Sequence, residues 1–421
     1  MTESSTVADR ALEVAATIGF GIARQAMWSG ERCRWLETIP VPPGQNPAIS
    51  MMCGTDVYGG TAGIGWFLAQ AAARIPDALL RRTARAALRQ TAERAREEFD
   101  RAPHGFYGGI AGTAAALVLA GLELDDGEAV EAGRAILASV PDGTEDPGAT
   151  DIISGMAGTS LAFALAAAAL DGDPALIERS VAAADRLLAM GDRDDGRLSW
   201  PSIPDRRANL TGFGHGAAGM AFALLVVDAL APDPRFREAA AAAFAYENAV
   251  FDPARANWPD FRILPGFPPG ELPYPVAWCH GAAGIVRSRQ LAGAVDGIDV
   301  AADVAAGLWT TAREADRWSR TPGADFTLCH GVLGLADALL DSARSGGSDY
   351  GALTAAIAGS AAAAFHDSER PWPSGLETRE ELNGLMMGNA GIGHFYLRLA
   401  DPGLDSVLAP GASLVRAARK A

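Results

Sequence analysis

The chain has 421 residues, of which 49% are apolar and 20% charged, with 48 Gly, 25 Pro and 4 Cys. It is too apolar for a disordered chain, has too few cysteines for a disulfide scaffold, and its glycines lack the every-third spacing of collagen. Lys plus Arg number 35 against 51 Asp plus Glu, and the resulting net charge of −16 repels phosphate, so neither a nucleic acid nor an anionic membrane surface is an expected partner.

The opening stretch, MTESSTVADR, is acidic and polar where a secretory signal needs a basic start and an apolar core, so a cytoplasmic protein is expected. Cys33 and Cys53 follow and read as ordinary thiols of a reducing compartment, not as ligands. At Gly60 a G-x-x-G step leads into an apolar run. The same step returns at Gly109, Gly155, Gly216, Gly281, Gly331 and Gly388. First glycines are 49, 46, 61, 65, 50 and 57 residues apart, room for two helices and their connections each time.

Between the steps, stretches such as Ala78 to Asp100 and Ala175 to Met190 carry charges on one helical face and apolar residues on the other, and are expected as outer helices. Gly105 to Leu122, Ile152 to Leu170 and Leu210 to Val227 contain no Asp, Glu, Lys or Arg. Rich in Gly and Ala and apolar on all sides, they read as inner helices of a large protein rather than as membrane spans. The glycines that start each inner helix are expected to let neighbouring backbones approach closely. No hairpin of this kind buries its inner helix alone. The expected fold is therefore all-α, an α/α toroid of seven helical hairpins with an inner ring surrounded by outer helices, forming one domain over 1–421 with the repeats at roughly 10–400.

In such a ring the N-termini of the inner helices share one rim, where chemistry is to be sought. Repeat four brings Phe213-Gly-His215-Gly216 there, repeat five Trp278-Cys279-His280-Gly281, and repeat six Leu328-Cys329-His330-Gly331. Two thiols and an imidazole are the donors Zn²⁺ prefers. Cys279, Cys329 and His330 are the expected ligands, with the fourth position open as in catalytic sites. His280 in that position would make the site structural, and unliganded core side chains are the plainer alternative. His104, His366 and His394 read as structural. Three Trp-Pro pairs, at Trp200, Trp258 and Trp372, and the Pro265 to Pro275 stretch stay out of helix; they either wall a groove for an extended peptide or only pack their loops.

The G-H-G, W-C-H-G and C-H-G steps on seven glycine-stepped units resemble the LanC family of lanthionine cyclases and LanC-like proteins, over roughly residues 10–400. The resemblance implies an α/α toroid with a catalytic zinc on Cys279, Cys329 and His330. It also implies catalytic roles for His215 and for Asp151, in Asp-Ile-Ile-Ser-Gly155. Two positions depart from the pattern. Several bacterial peptide cyclases carry Tyr where this chain has His280, and some carry an Arg where it reads Leu272-Pro-Tyr-Pro275; both bear on the substrate more than on the metal.

The implied activity adds cysteine thiols to dehydroalanine or dehydrobutyrine of a dehydrated precursor peptide, forming thioether rings in lanthipeptide biosynthesis. Nothing in the chain resembles a kinase, a lyase or a nucleotide site, so a separate dehydratase is an implied partner. His215, with a reference pKa of about 6.5, suits the acid/base step. Asp151 orients it or caps the helix of repeat three. His280 hydrogen-bonds the electrophile's carbonyl, serves as a second acid, or packs. Two other readings stand: a LanC-like enzyme adding glutathione or another thiol to dehydrated residues in proteins, and a non-catalytic peptide-binding scaffold with structural zinc. A glycosidase on the same architecture needs two rim carboxylates, and the sequence places only Asp151 there.

Overall fold

Alanine- and leucine-rich runs form helices throughout the computed structural model, which describes residues 3–39, 49–141, 143, 149–264, 267–268, 270–346, 348–374 and 381–418. Met1, Thr2 and Pro265 of the sequence argument lie outside these residues. In chain order the elements are α1 (Glu3–Gln25), β1 (Met27–Ser29), β2 (Arg32–Arg34), β3 (Leu36–Ile39), β4 (Ile49–Met52), α2 (Thr61–Arg74), α3 (Ala78–Glu98), α4 (Ile110–Glu123) and α5 (Gly127–Ser139). There follow α6 (Met156–Ala169), α7 (Pro174–Ala189), β5 (Asp192–Asp194), β6 (Arg197–Ser199), α8 (Ala217–Leu230), α9 (Pro234–Asn248), α10 (Ala282–Ala292) and α11 (Ala301–Ser319). The chain ends with α12 (Val332–Arg344), α13 (Ser348–Ala361) with a π-helical turn at Ala362–His366, α14 (Asn389–Ala400) and α15 (Ala412–Ala418). The strands form only three antiparallel pairs, β1 with β2, β3 with β4 and β5 with β6.

Each G-x-x-G step starts a helix, and helices α2, α4, α6, α8, α10, α12 and α14 begin at the residue after its first glycine. The close approach expected at these glycines is real, but the partner is chiefly the loop that leads into the same helix. A Cβ on the second glycine would lie 1.7 to 2.3 Å from the carbonyl oxygen six residues earlier in all seven repeats, for example Phe106 O over Gly112 and Phe213 O over Gly219. In six of them the same glycine N–H bonds the carbonyl seven residues back, as from Gly158 to Asp151 and from Gly219 to Gly212. The rim loop thus curls over the helix start and covers amides that would otherwise lack partners. Outer helices start differently: Asp77, Asp173 and Asp233 cap α3, α7 and α9 with their carboxylates, the last two ahead of a proline.

Two compact units result. In the first, 1–102, 113–138 and 315–406, α2 packs on α3, α12 on α13, and α14 on α2. The seventh inner helix, α14, takes its outer partner from the other end of the sequence, since α1 packs along it. Its buried Arg398 pairs with Asp337 and Asp341 of α12. In the second unit, 103–112, 139–314 and 407–421, α6 packs on α7, α8 on α9, and α8 touches both α6 and α10. The first twelve residues of α6 and the first eleven of α8 are uncharged and all buried, and Asp228, the twelfth of α8, is buried with them. Helix α10 breaks the apolar rule with Arg289, fully buried and paired to Glu247 and Asp303. The C-terminal segment of this unit is held by side chains near the rim loops: Tyr107 Oη donates to Val407 O at 2.7 Å and Trp278 Nε1 to Leu408 O at 2.8 Å. Among the described residues no helix is long and apolar enough to cross a membrane.

Candidate functional site

Within each unit, backbone bonds fix the rim loops that carry the reactive side chains. Gly214 N donates to Cys279 O at 2.9 Å, joining the His215 loop to the first cysteine, and Cys329 N donates to Met386 O at 2.9 Å. From beneath, the buried carboxylate of Glu247 on α9 accepts from Gly212 N at 2.8 Å and Ala218 N at 3.2 Å. His215 is therefore placed by a loop fixed at both ends.

Asp151 and His215 meet. One carboxylate oxygen of Asp151, Oδ1, accepts from Ser154 N at 2.7 Å and Gly155 N at 3.1 Å, closing the turn that leads into α6. The other, Oδ2, pairs with His215 Nδ1. Of the two roles weighed for this residue, the contact with His215 is present, whereas the N-cap of α6 is Gly155, without a side-chain cap. Burial disfavours a charged His215, yet the hydrogen bond and charge of Asp151 outweigh it and raise the imidazole pKa above its ordinary value.

Cys279, Cys329 and His330 also come together. Their ligand atoms all lie within 4.8 Å of one another, a span that one ion bridges with bonds of about 2.0 to 2.3 Å. Two soft sulfurs and an imidazole fit zinc by donor type. Asp325 Oδ2 lies 3.6 Å from His330 Nε2, where a carboxylate orients a ligating imidazole, and is itself held by Thr327 through its backbone N at 2.6 Å and its hydroxyl at 3.0 Å. His280 is not in this group, so a fourth protein ligand from that residue is not what the geometry presents. Cys33 and Cys53 are not in this group; burial pushes both thiols up to about 12, which favours their protonated form.

His280 is buried, with its ring centroid 5.9 Å from that of His215. Burial, against weaker opposing charges, lowers its pKa. Its Nδ1 has no hydrogen-bond partner, and Asp260 Oδ2 stands 3.9 Å away. Asp260 was not legible as a site residue: it follows Trp258-Pro259 in a segment without a rim motif. The fold brings it in because Arg207 N bonds Phe261 O at 2.8 Å and Ile263 N bonds Asp205 O at 3.0 Å, zipping this segment onto the approach to repeat four. With Asp260 and Asp325 beside the rim histidines, Asp151 is no longer the lone rim carboxylate that the sequence suggested.

A profile of lanthionine synthetase C-like proteins matches residues 52–412. The chain belongs to the lanthionine synthetase C-like family. Among solved structures it is similar to a nisin cyclase, at 15% identity and a TM-score of 0.58, over 82% of this chain and 91% of that one. A search of curated proteins found no match. Family and structural likeness together show the expected fold class, an all-α toroid of helical hairpins.

The remaining expectations resolve on packing. His394 is fully buried with Nδ1 2.9 Å from Gln70 Oε1 and His366 faces Glu13 at 3.7 Å, contacts that serve the fold, while the backbone carbonyl of His104 accepts from Thr159. The Trp-Pro indoles do not wall a groove. Trp200, Trp258 and Trp372 are 1%, 0% and 7% exposed, and they anchor their loops instead.

Proposed function

We propose that the protein is a zinc-dependent lanthionine cyclase, which adds cysteine thiols of a dehydrated precursor peptide to its dehydroalanine or dehydrobutyrine residues. The observation that carries this reading is the gathering of Cys279, Cys329 and His330. The family match supports it, and the similar structure bears the name of such an enzyme. Zinc held by these three residues would supply acidification of an incoming thiol whose free pKa is about 8.5.

The chain's own groups account for the protons. Addition forms a bond from sulfur to the β-carbon, opens the carbon–carbon double bond to an enolate, and requires one proton to leave the thiol and one to reach the α-carbon. His215 serves as the acid/base, its charged form stabilised by Asp151 at Nδ1 so that Nε2 handles the proton. His280, beside it, is the second polar group available to the electrophile. The same assignment takes the chain as one domain, supported by a family match that runs through both units. It also takes a dehydratase as the supplier of substrate and a reducing cytosol as the setting, supported by four cysteines without a disulfide.

The test is thioether formation on a dehydrated peptide, read by mass spectrometry after thiol alkylation. Wild type with Zn²⁺ is expected to remove alkylatable thiols, and His215→Ala to lose about 10²- to 10⁴-fold in rate while keeping its helical circular dichroism. Thiols that persist with the zinc-loaded wild type overturn the reading. Loss of thiols only when glutathione is added assigns the chain to the external-thiol chemistry instead.

A further inference from the structure

The second histidine of the pole has an unused nitrogen, and the structure supplies a buried carboxylate for it. His280 is 2% exposed and its Nδ1 makes no hydrogen bond. An unpartnered buried N–H or lone pair costs about 1 to 3 kcal/mol, so an arrangement of this kind needs a reason. A carboxylate oxygen, Asp260 Oδ2, stands 3.9 Å away, longer than a hydrogen bond but within the reach of one that tightens around substrate.

Asp260 is built for that task. It is 2% exposed, and Arg262 grips both its oxygens, Nε at 3.1 Å from Oδ1 and 2.9 Å from Oδ2, with Nη2 at 2.6 Å from Oδ2. Its backbone is pinned as well, Asp260 N donating to Pro273 O at 2.8 Å and Thr211 Oγ1 to Pro259 O at 2.6 Å. The carboxylate can move little. His280 stands to Asp260 as His215 stands to Asp151, with Nδ1 toward a carboxylate in both cases.

We infer that Asp260, clamped by Arg262, is the positioning residue of His280, holding it as the Nδ1–H tautomer so that Nε2 presents a lone pair to the reacting groups. This rests on the cyclase reading for its consequence: a lone pair fixed at His280 Nε2 accepts a hydrogen bond from the bound substrate and orients it, while His215 remains the acid/base.

The test uses the zinc-loaded full chain labelled with ¹⁵N, in which long-range proton–nitrogen correlation at one fixed pH reads each histidine tautomer. The signal that vanishes in His280→Gln is expected to report a bare Nε2, and Asp260→Asn to shift it toward a mixture. In the thioether assay Asp260→Asn is expected to lower kcat by about 10- to 100-fold, the size seen when an orienting carboxylate is removed, with KM changed by less than about two-fold. In the His280→Gln background the same substitution is expected to cost nothing more, because a group that acts through another has no effect without it. Arg262→Gln, which loosens the carboxylate without removing it, is expected to give a smaller loss of the same kind and decides the matter should Asp260→Asn misfold. An unchanged His280 tautomer, an unchanged kcat, or losses that multiply in the double variant overturn the inference. If the wild type forms no thioether at all, the cyclase reading fails, while the tautomer measurement still judges Asp260.

Discussion

The local environment of single side chains decides how this protein responds to pH and to metal. Glu37 is pushed up from 4.5 to about 7, by burial first and by the charge of Asp56 second. A carboxyl whose pKa is raised by folding favours the protonated form, so its contribution to stability falls as pH climbs from about 4.5 to 7. That difference corresponds to about 3 kcal/mol at most. Glu37→Gln is therefore expected to raise stability at pH 8.5 and to change little at pH 4, as measured by denaturant unfolding; an equal effect at both pH values would refute the assignment. At the metal-ligand group the deciding residue is Asp325, 3.6 Å from His330 Nε2. Asp325→Ala is expected to weaken zinc affinity by about 10- to 100-fold in competition with a chelating dye, with thiol count unchanged.

Among the elements, the repeated loop-and-helix start is the unit of construction. The space that the second glycine leaves is filled by its own loop's carbonyl, 1.9 Å from where a Cβ of residue 219 would stand. Gly219→Ala must push Phe213 O away, and with it the backbone that places His215. A loss of about 1 to 3 kcal/mol in stability is expected, together with a drop in activity larger than the lost folded fraction explains. Full activity in folded Gly219→Ala would show that the loop's position does not matter. Helix α1 makes the same point on a longer element: it supplies the packing surface for α14, and the sequence gives α1 no G-x-x-G mark because it is an outer helix entered from the chain's beginning.

On the scale of the whole molecule the question is whether metal is needed to fold or to act. The loops that carry the ligands are fixed by backbone bonds of their own, at Gly214 to Cys279 and at Cys329 to Met386, and the two units are built on extensive buried helix packing. Chelation is accordingly expected to abolish thioether formation while leaving far-ultraviolet circular dichroism and cooperative thermal unfolding in place, and added Zn²⁺ to restore activity. Unfolding on chelation would assign the metal a structural role and favour the peptide-binding scaffold. What the amino-acid order determined by itself was everything with a period: seven helix starts, the inner or outer character of the helices with a clear apolar or amphipathic pattern, and the Cys-His steps, since these depend on neighbours within a few residues. What only the tertiary structure decided was everything joined across sequence distance. Asp260 faces His280 because residues 205–207 and 261–263 pair, Asp151 divides its oxygens between its own loop and His215, and the indoles turn inward to anchor loops. Such contacts leave no periodic trace, because their free energy is gained only once the packed helices have brought distant segments together.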